Sequence, residues 1–139
     1  MKKEKENKKR SALKSLVWRI VGIITLAIIT FVFTQSLVQT GLVTIIHHTV
    51  FLVVFYFHER LWLVINVQRL WLRSLLKMFT YETLAGNIIL GIIMWLVTSD
   101  FKTMTAVTLT YIGFKHIMYV GNEFIWKNIK WGRKITTHT

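Results

Sequence analysis

The chain has 139 residues, 53% of them hydrophobic, and a formal net charge of +12. It contains no cysteine, which excludes disulfides, thiolate metal sites and cysteine nucleophiles. The apolar residues lie in blocks of membrane-spanning length and the charges lie between these blocks. This arrangement excludes an ordinary soluble domain and makes nucleic-acid binding a poor explanation of the charge.

The basic residues are distributed unevenly along the chain. Of the 18 Lys and Arg, eight precede the first apolar block, four lie in the middle of the chain and four follow the last block. Lys102 lies in a turn on the other side, and Lys115 lies within a block. By the positive-inside rule, this asymmetry predicts a multi-pass membrane protein with both termini in the cytoplasm. It also favours anionic phospholipid headgroups as partners of the cations, with no nucleic acid.

The N-terminal part of the chain predicts a tail and a first membrane span. Residues 1–9 are polar and basic, and we expect them to be disordered or loosely helical. The next segment, 10–19, has the pattern of a helix entering the membrane through the headgroups, with Arg10 and Lys14 contacting anionic phospholipid. The first span then begins at Ile20 and ends near Val38.

The second span is predicted from about Leu42 to Phe57 and contains two adjacent histidines, His47 and His48. Adjacent residues of a helix point ~100° apart, so we do not expect both to face one small site. His47 aligns with Tyr111 of the last span and should face inward. One hypothesis gives it a hydrogen bond to a neighbouring hydroxyl, and the other gives it a role in proton relay or ligand contact. The neighbouring hydroxyls are those of Thr25, Thr30 and Thr108.

The middle segment, Leu61–Thr80, is apolar but carries a stripe of polar residues at helical spacing. These are Asn66, Arg69, Arg73 and Lys77. A narrow cationic stripe on an apolar helix predicts a helix lying in the membrane interface, with its cations on lipid headgroups. The alternative is an additional span, which would bury two arginines in the bilayer.

The third span is predicted from about Tyr81 to Thr98, and the fourth covers Met104–Trp126. A cation near the centre of a span costs at least about 2.5 kcal/mol and normally has a partner or a water-filled cavity. Lys115 is such a cation, and either a structural ion pair with Glu82 or a functional ion or proton site would explain it. The polar residues of the fourth span recur at steps of three and four and so form one stripe. They are Tyr111, Lys115, Tyr119, Asn122, Glu123 and Trp126.

The two halves of the chain resemble each other. The segment RSALK at 10–14 recurs as RSLLK at 73–77, an offset of 63, whereas FYFHERLW at 55–62 matches YVGNEFIW at 119–126, an offset of 64. One extra residue near the start of the third span reconciles the two offsets. The predicted fold is therefore all-α, with four transmembrane helices as two tandem two-helix repeats in the same orientation. The repeats occupy 10–63 and 64–132, and 133–139 form a basic C-terminal tail.

These segments resemble a family of small prokaryotic membrane proteins catalogued as domain of unknown function 2061. A unit of that family opens with a basic RS-x-x-K segment and Trp-Arg-x-x-Gly, and it closes with a lysine, two aromatics and His-Glu-Arg-x-Trp. The first half fits the closing motif at His58, Glu59, Arg60 and Trp62, and the second half has the lysine at Lys115. The resemblance implies two tandem copies in a prokaryotic cytoplasmic (inner) membrane. It implies no activity.

Arg19 and Glu59 are both predicted at the cytoplasmic face, at the start and the end of neighbouring helices. We expect an ion pair between them that fixes the first hairpin, with Arg60 reaching lipid phosphate and His58 completing the motif.

Two functional hypotheses follow from the sequence. The first is a channel or transporter for a small ion or solute, with a path along His47, Glu82, Tyr111, Lys115 and Glu123. The second is a non-transporting scaffold or accessory subunit that holds a partner protein or anionic lipid. The usual motifs of enzymes, cofactor sites and metal sites are absent from the sequence, so we expect no enzyme, no cofactor and no metal. Four short spans make a small bundle, which favours a homo-oligomer.

Overall fold

The structure, a computed structural model, describes residues 3–136 of the chain. Within this range the chain forms five α-helices, one π-helix and two short strands. In chain order the elements are β1 (Lys3–Glu6), α1 (Lys8–Thr34), α2 (Leu37–Val64), α3 (Leu70–Met78), the π-helix (Phe79–Ala85), α4 (Gly86–Thr98), α5 (Phe101–Asn128) and β2 (Arg133–Thr136). The all-helical prediction for the body of the chain is confirmed.

The long helices form a closed ring of four. α1 packs against α2 and α5, and α4 packs against the same two helices. Short connections join successive helices, so neighbours run antiparallel and α1 and α4 lie diagonally opposite each other. One end of the bundle carries the start of α1 and the end of α5, and we call it the termini end. The other carries the turns that follow α1 and α4, and we call it the turn end.

Three of the described helical segments are long and apolar enough to cross a membrane, namely Lys8–Thr34, Leu37–Val64 and Trp71–Thr98. α5 has a similar length of 28 residues but is not among them. Threonines, tyrosines, Lys115 and His116 interrupt its apolar run, which lowers its mean hydropathy. Leucines on the outer surface, such as Leu37 and Leu96, are largely exposed. A bundle that covers itself with apolar side chains is suited to lipid.

No helix covers the whole of Leu61–Thr80, and the shorter α3 within it is continuous with the next span. α2 continues to Val64, the chain turns over 65–69, and α3 then leads through the π-helix directly into α4. Two cations of the predicted stripe explain this difference. Arg73 and Lys77 bond to groups on α2, so the start of α3 is held against the bundle.

The N-terminal tail also differs from the prediction of a disordered or loosely helical segment. Residues 3–6 form β1, which pairs antiparallel with β2, so that Glu6 lies opposite Arg133. The amide of Asn7 donates to the carbonyl of Gly132 and extends this pairing. Backbone hydrogen bonds thus join the two tails. The ends of both predicted tails, residues 1–2 and 137–139, lie outside the described range.

The two turns at the turn end have the same construction. Gln35 follows α1 and Ser99 follows α4, and both residues are left-handed, with φ of 52° and 50°. The next residue caps the following helix, since Ser36 Oγ accepts from the amide of Gln39, and the carboxylate of Asp100 accepts from the amides of Lys102 and Thr103. A left-handed residue followed by an N-cap reverses the chain in the fewest residues.

The cap of α5 makes a pH-dependent contribution to stability. Thr103 donates to the Asp100 carboxylate through its hydroxyl and its amide, and these bonds lower the pKa of Asp100. A carboxyl whose pKa is lowered by folding stabilises above its unfolded pKa, and that contribution is lost as the pH falls through the folded pKa. We therefore expect the Tm of the native chain to fall more than that of Asp100→Asn on acidification below about pH 4. Thermal unfolding in lipid discs measures both.

Ser36 offers a matched control for this prediction, because it caps α2 with a group that does not titrate. Ser36→Ala and Asp100→Ala should both lower the Tm at neutral pH. Only the loss in Asp100→Ala should shrink in acid. Parallel pH profiles for the native chain and Asp100→Asn would contradict the assignment.

The apolar core fills the half of the bundle nearer the turn end. It is a cluster of eight buried residues, Leu26, Ile29, Val43, Leu90, Ile93, Met94, Val107 and Tyr111. Side chains from all four long helices meet there, so this core closes the bundle towards the turn end. The space on the other side of Tyr111 is where the polar residues collect.

α3, the π-helix and α4 form one continuous helical segment, Trp71–Thr98, which we call the third long helix, and the π-helix lies within it. A π-helix accommodates one extra residue within a continuous helix, and such segments are frequent at functional sites. The offset between the similar halves is 63 before this segment and 64 after it. The extra residue expected near the start of the third span therefore falls in the π-helix, and Glu82 lies within it.

Candidate functional site

A cavity of about 270 Å³ lies inside the bundle, on the termini side of the apolar core. All four long helices contribute to its wall. The polar and ionisable side chains that line it include Arg19, His47, His48, Glu82, Tyr111 and Lys115. We call this space the central cavity. Four of the five residues proposed for the transport path thus share one site, and Glu123 does not line it.

Lys115 and Glu82 form an ion pair in the wall of the central cavity. The side chains are 17% and 32% exposed. The ammonium nitrogen also lies 5.2 Å from the ring centre of Phe51 and 5.6 Å from that of Tyr111, which are distances for cation–π contact. The predicted partnership is therefore present, and aromatic faces complete the surroundings of the cation.

His47 is buried but does not bond to the hydroxyls expected for it. Neither ring nitrogen bonds to a described side chain, although the backbone of Gly86 lies within hydrogen-bonding reach of the ring. The ring stacks on Phe51, one helical turn further along α2, at 5.4 Å between centres. Thr25, by contrast, donates to the carbonyl of Val21 in its own helix, and the hydroxyls of Thr30 and Thr108 are buried without a partner. The hypothesis of a His47–threonine bond is therefore wrong.

His48 corrects a second expectation about the histidine pair. Both rings line the central cavity, and their centres lie 5.0 Å apart, nearly perpendicular. Adjacent residues of a helix point ~100° apart, but the cavity extends around α2 far enough for both rings to line it. Nε2 of His48 is also buried without a hydrogen-bond partner. Unpartnered buried nitrogens require an explanation, such as a bound molecule.

Tyr111 and Tyr81 fix the aromatic wall of the cavity. The Tyr111 hydroxyl donates to the carbonyl of Gly22 at 3.4 Å, and the Tyr81 hydroxyl donates to the carbonyl of Phe51 at 3.3 Å. Tyr81 also stacks on Phe51, with 4.3 Å between ring centres. Sequence reasoning missed Phe51, Tyr81 and Trp18 as lining residues. For Phe51 there was a signal in the sequence, because it lies four residues after His47 and so shares its helical face.

A second cavity of about 180 Å³ lies in the groove between the third long helix and α5, and we call it the lateral groove. Trp18, Glu82 and Lys115 line both this groove and the central cavity. The ion pair therefore stands in the wall between the two spaces. The rest of the groove is lined by Met78, Thr83, Asn87, Ile112, His116 and Tyr119.

Two ion pairs at the termini end join the first helical hairpin, α1 and α2, to the helices of the second half of the chain. Glu59 of α2 bonds to Lys77 of α3 at 2.5 Å, and Glu123 of α5 bonds to Lys14 of α1 at 2.7 Å. The expected pair between Arg19 and Glu59 does not form. Arg19 instead lines the central cavity, because Lys77 of the next long helix occupies the carboxylate.

Two arginines cap the C-terminal ends of α2 and α5, the second helix of each half of the chain, which we call the return helices. Arg10 is fully buried, and its guanidinium donates to the carbonyls of Trp126, Ile129 and Trp131. Arg73 donates to the carbonyl of Trp62 at 2.6 Å. The last carbonyls of a helix lack intrahelical donors, so a cation satisfies them well. In place of the expected headgroup contacts, Arg10, Lys14, Arg73 and Lys77 thus bond within the bundle.

The remaining predicted site residues lie near the end of α2. His58 Nε2 accepts from the indole N–H of Trp62 at 3.0 Å and lies 2.8 Å from the hydroxyl of Thr80. Arg60 is exposed and stacks over Tyr56. Arg69 is exposed just before α3. Of the predicted headgroup cations, Arg60 and Arg69 are thus exposed at the surface, and Arg60 also donates to the hydroxyl of Tyr56 at 3.4 Å.

A family model described as predicted membrane protein, domain of unknown function 2061, matches residues 12–63, in a single copy. This range contains nearly all of α1 and α2. No curated protein and no solved structure matches the chain. The first helical hairpin is therefore similar to a predicted membrane protein family of unknown function.

Proposed function

We propose that this protein is a small membrane transporter that holds a negatively charged solute in its central cavity. The observation that carries the proposal is the central cavity itself, with Lys115 and Glu82 in the middle of helices of membrane-spanning length. Ionisable groups in that position are costly, and they usually mark the path of a substrate or ion. The buried nitrogens of His47 and His48 add hydrogen-bonding capacity that no described side chain uses.

The proposal includes a fourth membrane crossing by α5. Its 28 residues have the length of α2, and it packs between α1 and α4, two helices that are apolar enough to cross. The polar stripe of α5 faces the central cavity at Tyr111 and Lys115, so burial within the bundle shields those side chains from lipid. Both termini then lie on one side, and the basic residues near them place that side in the cytoplasm of a prokaryotic cell.

We further propose that the bundle consists of two tandem two-helix units in the same orientation. The two turns have matching dihedral angles at positions 64 residues apart. The cross-bundle bonds also match, since Lys14–Glu123 corresponds to Lys77–Glu59, and the bond of Arg10 to Trp126 corresponds to that of Arg73 to Trp62. Each unit thus binds the return helix of the other, as expected around an axis along the membrane normal.

The sign of the solute charge follows from the ionisable residues of the wall. Arg19 and Lys115 are cationic and Glu82 is anionic, so with neutral histidines the lining has an excess of one positive charge. In a low-dielectric wall this excess favours an anion. The apolar core blocks a straight path to the turn end. A carrier that alternates its opening fits this arrangement better than an open channel.

Single-cysteine accessibility tests the proposal, because the natural chain has no cysteine. We expect His48→Cys, on the wall of the central cavity, to react with membrane-impermeant methanethiosulfonates from the termini side. The anionic sulfonatoethyl reagent should react faster than the cationic trimethylammonium-ethyl reagent. A carrier should also expose this cysteine from the turn side during its cycle. Vesicles of both orientations and mass spectrometry of the labelled protein provide the measurement.

Val43→Cys is the matched control, because Val43 lies on the same helix within the closed core. It should react slowly from the termini side. If His48→Cys never reacts from the turn side, the carrier mechanism is wrong, and the non-transporting scaffold or accessory subunit becomes the better explanation. Equal rates for the two reagents would contradict the preference for an anion.

A further inference from the structure

We propose that the lateral groove admits a single-chain anionic amphiphile from the bilayer, whose acidic headgroup reaches Lys115. This inference rests on the proposed function and names the class of its substrate. The hydrocarbon chain would lie between the third long helix and α5. The headgroup would replace the Glu82 carboxylate at the ammonium group and so enter the central cavity.

The position of the lateral groove supports a membrane entrance. It lies where the third long helix faces α5, and three of its lining side chains, Met78, His116 and Tyr119, are exposed on the outside of the bundle. On a membrane-spanning bundle that outside surface meets lipid. The groove therefore opens sideways, whereas the central cavity has the exposed residues Ser15 and Arg19 in its lining on the side of the termini end.

The two spaces differ in the chemistry of their walls. The lateral groove is mainly apolar, and Lys115 and Glu82 are the charged side chains of its described lining. The central cavity adds Arg19, His47 and His48. A molecule that occupies both must be polar at one end and apolar along the rest, which is the shape of an amphiphile. A small water-soluble ion would make no favourable contact with the apolar wall of the groove.

The charge at the junction selects an anionic headgroup. Lys115 is the one cation that lines both spaces, and its present partner is a carboxylate. An acidic headgroup can take the place of that carboxylate at the ammonium group, and the displaced Glu82 would then pair with Arg19, the other cation of the described cavity lining. The ring of His116 leaves a further polar group beside the groove, because its Nδ1 bonds to the carbonyl of Ile112 and its Nε2 is turned away from that bond.

Binding of oleate to the full chain tests this inference, with two ligands that each lack one of its properties. Acetate has the carboxylate without the chain, and oleyl alcohol has the chain without the charge. We expect saturable binding of oleate at one per chain by native mass spectrometry and tryptophan fluorescence. Acetate and oleyl alcohol should bind at least about tenfold more weakly, which corresponds to about 1.4 kcal/mol.

Two substitutions locate the ligand. Ile112→Trp fills the lateral groove and should weaken oleate binding at least tenfold, whereas Leu109→Trp, on the outer surface of the same helix, should leave it unchanged. The double variant Lys115→Met, Glu82→Gln removes both charges of the ion pair, so that no unpaired charge remains. It should abolish the preference for oleate over oleyl alcohol. Retention of the double variant's fold is checked by its Tm.

The outcomes separate this inference from the proposed function. Oleate binding that ignores Ile112→Trp, or that equals oleyl alcohol binding, would overturn the amphiphile proposal. The anionic thiol reagent could still show access to His48→Cys from both sides, and the transporter proposal would then stand with a water-soluble substrate. Saturable, groove-dependent oleate binding with access from one side would instead support the groove and overturn the carrier.

Discussion

Replacing either Lys115 or Glu82 alone should destabilise the bundle far more than replacing both. The two side chains are paired in the middle of the bundle and are mostly shielded from solvent. Breaking a buried pair leaves one uncompensated charge, which typically costs about 3–5 kcal/mol. The double replacement removes both charges and should recover most of that loss. Lys115→Met, Glu82→Gln and their combination form a double-mutant cycle that isolates the interaction.

The measurement is equilibrium unfolding in a lipid disc or a mild detergent, with intrinsic tryptophan fluorescence. Lys102→Met serves as the control, since Lys102 is exposed at the turn end. It should change the free energy of unfolding by less than about 0.5 kcal/mol. Additive losses in the cycle would mean that the two charges do not stabilise each other. Each charge would then be stabilised separately, for example by water in the central cavity or in the lateral groove.

The result bears on why the second half of the chain contains a π-helix. In the proposed repeat, at an offset of 64, Phe51 of the first unit would correspond to Lys115 of the second, so the two proposed units differ at the centre of the site. The one-residue insertion changes which face of the third long helix meets α5. That change lies at Glu82, the residue that pairs with the lysine. A strong coupling energy would therefore connect the insertion with the lysine as one functional adaptation.

The sequence predicted the broad architecture because apolar run length and helical spacing are local properties. The end of the third span at Thr98 agrees with the structure, whereas the last helix begins at Phe101, before the predicted start at Met104. The stripe containing Tyr111 and Lys115 was predicted from spacing of three and four alone, and both residues line the central cavity. Their partner Glu82 was also predictable, because few acidic residues lie near the middle of an apolar run.

The sequence could not predict which helix lies beside which. The ion pair expected between Arg19 and Glu59 assumed that the first hairpin bonds within itself, whereas Glu59 bonds to Lys77 of the next long helix. The same assumption placed Arg10 at lipid headgroups, whereas it caps the end of α5 near Trp126. Both errors arise because helical spacing gives the direction of a side chain relative to its own axis. Helical spacing does not say which helices are neighbours in the bundle.

Leu26→Ala and Leu90→Ala should each lower the free energy of unfolding by about 2–5 kcal/mol, and by similar amounts. Both leucines have 0% exposure in the core that closes the turn end, and they lie 64 residues apart. Leu37→Ala and Leu96→Ala are matched controls, because those side chains are 77% and 73% exposed and alanine also faces lipid without a cavity. Unfolding in lipid discs gives all four values.

If the core also blocks the path of the carrier, the two core variants should speed labelling of His48→Cys from the turn side. A large loss at one buried position and none at the other would contradict the proposed equivalence of the two units, because equivalent units should depend equally on the same packed position.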